Sequence, residues 1–277
     1  MDYHSIIYKK EQAVATIILN RPRALNALNA EMIDELLHAV GQAGEDPEVK
    51  VLLLTGAGRA FCFGADISEF RQAHEQPGQD LAWNMLLKFQ KIIRLLTGMP
   101  KPTIAALNGF ATGLGLDLAL ACDLRMAAER AKLGEAFVSM GLMPDGGGTF
   151  LLPRLVGLAK AAEMIFTGEA IEPSEAERIG LINRVVPTQD LIKSAQELAD
   201  KLARGPSLAI GLAKEAMWRN LSENLDSALN FEVQSQKACL ESEDHREAVN
   251  AFLEKRDLTS GENKKIDIIV DRFIDFG

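Results

Sequence analysis

The chain has 277 residues, 47% of them hydrophobic, enough for one large core or a core with an appendage. Its net charge of −9 speaks against a nucleic-acid surface, which needs a basic patch, and no basic amphipathic stretch points to a membrane surface. The three cysteines, Cys62, Cys122 and Cys239, are too dispersed for a disulfide framework, no run reaches ~18 apolar residues, and the first residues are polar, so a cytoplasmic protein is expected.

Residues 14–19 are a β-branched run ending at Asn20-Arg21-Pro22, which predicts a strand entering a turn. Asn29-Ala30-Glu31 then starts a helix with Met32, Leu36, Leu37 and Val40 on one face. Residues 49–55 predict a buried strand, since their apolar run is nearly continuous. Gly56-Ala57-Gly58-Arg59 turns the chain into Ala60-Phe61-Cys62-Phe63-Gly64-Ala65-Asp66. A helix is predicted over 81–97, stopped by Gly98 and Pro100, and a strand over 102–107.

The stretch from Asn108 to Gly148 follows. It opens Asn108-Gly109-Phe110-Ala111-Thr112-Gly113-Leu114-Gly115-Leu116-Asp117, the pattern of a glycine turn feeding a helix that carries an acid in its first turns. A further strand is predicted near 123–126, a helix over 153–166 and a short helix over 175–179. Strand–turn–helix units therefore recur, which is α/β layering, and the spacing fits a spiral or an open sheet. From Asp190 onward the pattern is helical only, over 191–203, 207–220, 226–239 and 245–256. That change of texture divides the chain into a core, 1–200, and a helical segment with a C-terminal tail, 201–277.

Several chemistries lack their residues. The third glycine of Gly-x-Gly-x-x-Gly is replaced by Leu118, no phosphate-cradling Gly-x-x-x-x-Gly-Lys occurs, and there is no Gly-x-Ser-x-Gly elbow. The four histidines, His4, His38, His74 and His245, show no metal-ligand spacing. Two glycine-bearing turns after buried strands remain, near residues 64 and 113, each beside an acid. They are either ordinary tight turns or two backbone donors to one oxygen, an oxyanion hole worth about 3 kcal/mol per donor.

The segments Ala60 to Asp66, Lys101 to Gly109, Gly113 to Ala119 with Cys122-Asp123, Gly141 to Thr149, Leu152 to Gly157 and Ala251 to Arg256 together closely resemble the crotonase (enoyl-CoA hydratase/isomerase) superfamily. The resemblance runs in order over about residues 5–256. It implies an α/β fold, a crotonase-type ββα spiral core with a C-terminal helical trimerisation segment, assembled as a trimer or pair of trimers. It implies an enzyme acting on unsaturated acyl-CoA, with coenzyme A as part of the substrate and no separate cofactor or metal. The backbone N–H groups of Ala65 and Leu114 would bind the thioester oxygen. Arg23, Ala24 and Leu25 would border coenzyme A, Asp66 and Ile67 would lie at the adenine pocket, and Phe252 and Lys255 would reach the coenzyme A of a neighbouring subunit. The polar stretch 68–80 would line one wall of the acyl pocket.

The resemblance also separates the reactions. Typical hydratases of the family flank a water with two glutamates. Asp117 matches the first, one methylene shorter, and Phe137 stands at the second, where it transfers no proton. If residues 133–138 are extended, Glu135 shares a face with Phe137 but is displaced by roughly 6–7 Å, too far to substitute for it. Asp145 matches a position where family isomerases, including the dienoyl-CoA and ring-opened phenylacetyl-CoA types, place a catalytic aspartate, and Phe137 resembles the latter group. The expectation is double-bond isomerisation with Asp145 as proton carrier and Asp117 as partner. Hydration by the same two acids and a non-catalytic crotonase-fold binding protein are the alternatives. A helix start would lower the pKa of Asp117 and a dry pocket would raise it; the sequence does not rank the two.

Overall fold

The computed structural model describes residues 2–69, 81–256, 258–260 and 264–266. The first elements are β1 (Ile6–Glu11), β2 (Val14–Leu19), α1 (Ala30–Glu45), β3 (Val51–Gly56) and β4 (Ala60–Cys62). Next come α2 (Leu81–Gly98), β5 (Thr103–Leu107), β6 (Phe110–Thr112), α3 (Leu114–Leu120), β7 (Leu124–Ala128) and β8 (Lys132–Gly134).

The spiral alternative holds. β1-β2-β3-β5-β7-β9 form one sheet, where β9 is Arg184–Val186, and β4-β6-β8 form a second, smaller one. Only the β1–β2 pair is antiparallel within these two sheets. Each strand of the large sheet from β3 to β7 is followed by a short strand in the small one, so every coil of the chain contributes to both layers.

The apolar run of β3 is explained by burial on both faces. Leu52 and Leu54 join Leu36, Phe61, Leu107 and Leu118 on the inner side. Val51 and Leu53 point the other way, with Ile104, Ala106 and Met126, onto Leu191, Ala195 and Ala199 of α7 (Leu191–Ala203). α1 begins where expected, with the Asn29 side chain accepting from the Met32 amide at 3.0 Å.

Within the core, three expectations change. β1 was not foreseen, because an edge strand reading Ile6-Ile7-Tyr8-Lys9-Lys10-Glu11 and mostly exposed has no apolar alternation. Its entry is fixed by the buried Glu35 carboxylate, which accepts from the amides of His4, Ser5 and Ile6 at 2.7, 2.8 and 3.0 Å. The helix expected over 153–166 is two helices, α4 (Gly148–Val156) and α5 (Leu158–Thr167), since Gly157 at φ 78°, ψ 159° interrupts helical geometry. Residues 133–138 are not one extended segment: the chain leaves β8 after Gly134 and enters a 3₁₀ turn over Ala136–Met140.

Beyond α6 (Pro173–Arg178) and β9, the chain is helical through α7, α8 (Ser207–Arg219), α9 (Leu225–Leu240) and α10 (Glu243–Glu254). Strands do recur after them, as the antiparallel pair β10 (Leu258–Ser260) and β11 (Lys264–Ile266). Lys214 locks α8 to the core: its buried ammonium donates to the Leu96 and Lys101 carbonyls and pairs with Asp123 at 2.7 Å. Among the described residues no helix is long and apolar enough to cross a membrane.

Candidate active site

Two turns meet at the end of the small sheet. After β4, Gly64 turns at φ 96°, and the carbonyl of Gly64 accepts from the Leu28 amide at 2.8 Å while the Asp66 amide donates to Leu28 at 2.9 Å. Those bonds fix both neighbours of Ala65, whose own N–H donates to no described protein group. After β6, Gly113 sits at φ 52°, ψ −128°, and α3 starts at Leu114, whose N–H is among the amides a helix start leaves without an intrahelical acceptor. The turns abut: a Cβ added to Gly115 would collide with the Cys62 carbonyl, and one on Gly64 would stand 3.8 Å from the Leu114 nitrogen. The phenyl ring of Phe137 covers Gly113, 3.8 Å from where a Cβ would be.

Asp117, one turn into α3, is fully buried and its Oδ2 accepts from the Gly146 amide at 3.0 Å. Burial raises its pKa to about 7, against the Gly146 amide, which lowers it, and with the charge of Asp145, which raises it further. The dry pocket therefore outweighs the helix start. Asp145 precedes that amide in sequence, is half-buried, and has its pKa raised by burial; its carbonyl accepts from Gln90 at 3.0 Å.

Glu135 joins them. It lies at the start of the 3₁₀ turn, fully buried, with its pKa raised to about 10 by burial first and by the charge of Asp117 second. The strand spacing that separates Glu135 from position 137 holds only for extended backbone, and the chain turns after Gly134. Its position between Gly134 and the apolar Ala136-Phe137-Val138, an isolated acid among apolar residues, was the signal available.

α4 begins at Gly148, against the acids. A Cβ there would collide with Oδ1 of Asp117 and lie 3.0 Å from Oε1 of Glu135. Oδ1 of Asp117, both carboxylate oxygens of Glu135 and Oδ1 of Asp145 are buried without a hydrogen-bond partner. No Lys or Arg is among the groups acting on any of the three acids. Among the described residues no group of three His, Cys, Asp or Glu is placed to hold a metal ion.

The residues expected to border coenzyme A divide into two sets. Arg23 is exposed and Ala24 and Leu25 are half-buried in a 3₁₀ turn over Pro22–Ala24. This turn is tied to the Ala65 loop, because the Phe63 amide donates to the Leu25 carbonyl at 3.1 Å and Arg21 pairs with Asp66 at 2.9 Å. Burial works against the charge of Asp66, but Ser68 and Arg21 outweigh it and hold its pKa below the usual range. Ile67 beside it is exposed. Phe252 and Lys255 are exposed at the C-terminal end of α10, which packs on α9 and β10. Of the stretch expected to line the acyl pocket, residues 70–80 lie outside the described residues.

A chain carrying these two turns and these buried acids is matched by sequence. Residues 9–263 fit the family model described as enoyl-CoA hydratase/isomerase. The chain belongs to this family. It is 39% identical to the short-chain-enoyl-CoA hydratase of Clostridium acetobutylicum, over 95% of this chain and 100% of that protein. It is 40% identical to the 1,2-epoxyphenylacetyl-CoA isomerase of Escherichia coli K12, over 91% and 96% of the two chains. Among solved structures, the enoyl-CoA hydratase of Bacillus anthracis superposes with a TM-score of 0.87 at 36% identity, covering 92% of this chain and 98% of that one. The chain is thus an enzyme of the enoyl-CoA hydratase/isomerase family with the crotonase fold.

Proposed function

We propose that the enzyme isomerises the double bond of an unsaturated acyl-CoA. The reading is carried by one observation: Asp145 and Asp117 form a single buried acidic centre, joined through the Gly146 amide, beside the free amides of Ala65 and Leu114. The thioester oxygen accepts from both amides. A carboxylate removes a proton from the α-carbon of a 3-enoyl thioester, the electron pair moves into a dienolate held by the amides, and a proton returned to the γ-carbon leaves the conjugated 2-enoyl product. The enzyme ends unchanged. Asp145, the more accessible acid, carries the proton, and Asp117 orients or partners it; transfers of this kind contribute ~10²–10⁴-fold. Arg23, Ala24, Leu25, Asp66 and Ile67 border the coenzyme A part of the substrate, which is the only coenzyme this scheme requires. The exposed Leu225, Leu229, Val233 and Leu240 of α9, a helix with no buried residue, support assembly into a trimer or a pair of trimers, in which Phe252 and Lys255 reach a neighbour's coenzyme A.

Hydration is the second reading. It is favoured by Glu135, which supplies a second buried carboxyl beside Asp117 although Phe137 occupies the expected position. Incubation with 3-enoyl-CoA and 2-enoyl-CoA in heavy water separates the two. Deuterium in a shifted alkene supports isomerisation, a 3-hydroxyacyl product supports hydration, and no turnover of any acyl-CoA supports a binding protein. Asp145→Asn is expected to lower isomerase turnover by at least ~10²-fold with acyl-CoA binding retained. Near-normal turnover would overturn the assignment.

A further inference from the structure

Glu135 has no task in the isomerisation scheme, yet a fully buried acid without a cation or a donor is a costly feature to keep. We propose that Glu135 and Asp117 hold one proton between them in the resting enzyme, with Glu135 as the positioning residue that donates it to Oδ1 of Asp117. The inference rests on Asp117 acting at the reacting centre.

The geometry points to a shared proton. Oδ1 of Asp117 and Oε1 of Glu135 both face Gly148, and the space between them and that residue's Cα is too small for a methyl group. Both oxygens of Glu135 and Oδ1 of Asp117 are buried with no donor in hydrogen-bond geometry, and the two carboxyl groups lie within hydrogen-bonding reach of each other. Two ionised carboxylates only accept, so neither can satisfy the other; one proton turns one of them into a donor and pairs both. Glu135 is the natural holder. Asp117 already accepts from the Gly146 amide, which favours its charged form, whereas no amide, hydroxyl or cation serves Glu135. The same order appears in their titration, since burial takes Glu135 to about 10 and Asp117 only to about 7. The other charged group facing the pair is Asp145, from the loop before α4, and it too disfavours a second negative charge. A neutral Glu135 thus fixes the direction of the Asp117 carboxylate and moderates its basicity, while Asp117 and Asp145 meet the substrate.

The experiment uses the full chain and has two readouts. Infrared spectra of the substrate-free enzyme at pH 8 are expected to contain a protonated-carboxyl carbonyl band that Glu135→Gln removes and Asp145→Asn leaves in place. In the pH profile of kcat/KM, Glu135→Gln, which still donates a hydrogen bond, is expected to keep the acidic limb where it was. Glu135→Leu, which cannot, is expected to move it upward by about one to two pH units, the loss of a hydrogen bond to a charged group. An unchanged band in Glu135→Gln overturns the proposal, as does an unshifted limb in folded Glu135→Leu. If the leucine variant does not fold, the infrared comparison decides alone. A Glu135-dependent band in an enzyme that turns over no enoyl-CoA would leave the shared proton standing and remove the proposed function instead.

Discussion

Gly148→Ala adds one methyl group where the acids converge. Gly148 has an ordinary φ, so alanine introduces no backbone strain and the effect is purely one of space. The new carbon would overlap Oδ1 of Asp117, stand 3.0 Å from Oε1 of Glu135 and 3.1 Å from Cβ of Pro144. Relief requires the Asp117 carboxyl to retreat by roughly an ångström, and a misplacement of that size costs about 10²-fold in rate. Stability should suffer less. Overpacking costs ~1–3 kcal/mol and alanine returns up to ~1 kcal/mol at a helical position, so the net loss is about 0–3 kcal/mol, a Tm decrease of no more than ~12 °C. The assay is kcat on 3-enoyl-CoA and 2-enoyl-CoA beside a thermal unfolding curve of the same preparation. Wild-type kcat in folded Gly148→Ala protein would refute the placement of the acids around this residue.

Asp117→Asn tests the titration of the pair through stability. The folded pKa of Asp117, about 7, lies above its unfolded value near 3.8, so the stability this group contributes is full below ~pH 4 and is lost as pH rises through 7. The variant lacks that loss, and urea denaturation should show its stability relative to wild type improving by about 2 kcal/mol or more between pH 4 and pH 8; parallel profiles would contradict the buried site. Lys214→Met leaves the Asp123 carboxylate without its buried cation and should cost ~3–5 kcal/mol in chemical denaturation. A cost under ~1 kcal/mol would mean that this ion pair does not hold α8 to the core.

The layering and most helices were legible because their signals are local. The continuous apolar run of β3, the Asn29 cap of α1 and the glycines flanking Ala65 and Leu114 each report their surroundings directly. β1 was not legible, since its hydrogen-bond partner and its Glu35 anchor lie on other elements and its own residues are mostly exposed. The helix over 153–166 was misread because the positive φ of Gly157 leaves no trace in helical propensity beyond the glycine itself. Glu135 could not be placed for a similar reason: rise along a strand is a sound measure only while the strand continues. The acid's true place depends on one turn after Gly134. The motifs near Ala65, Leu114 and Asp145 were visible in sequence; that Asp117 and Glu135 press on one glycine is a tertiary fact.

The small sheet carries a consequence for how such a site can change. Ala65 follows β4, Leu114 follows β6 and Glu135 follows β8, three adjacent parallel strands whose spacing is set at about 4.8 Å by backbone hydrogen bonds. The amides of Ala65 and Leu114, proposed above to bind the thioester oxygen, and the acid therefore leave neighbouring slots of one rack. Side chains beyond any slot can be exchanged without resetting the distance to the others, because that distance belongs to the main chain. Glu135 and Phe137, two residues apart at one such exit, can be exchanged for other side chains without moving the amides of Ala65 and Leu114 at the neighbouring ones.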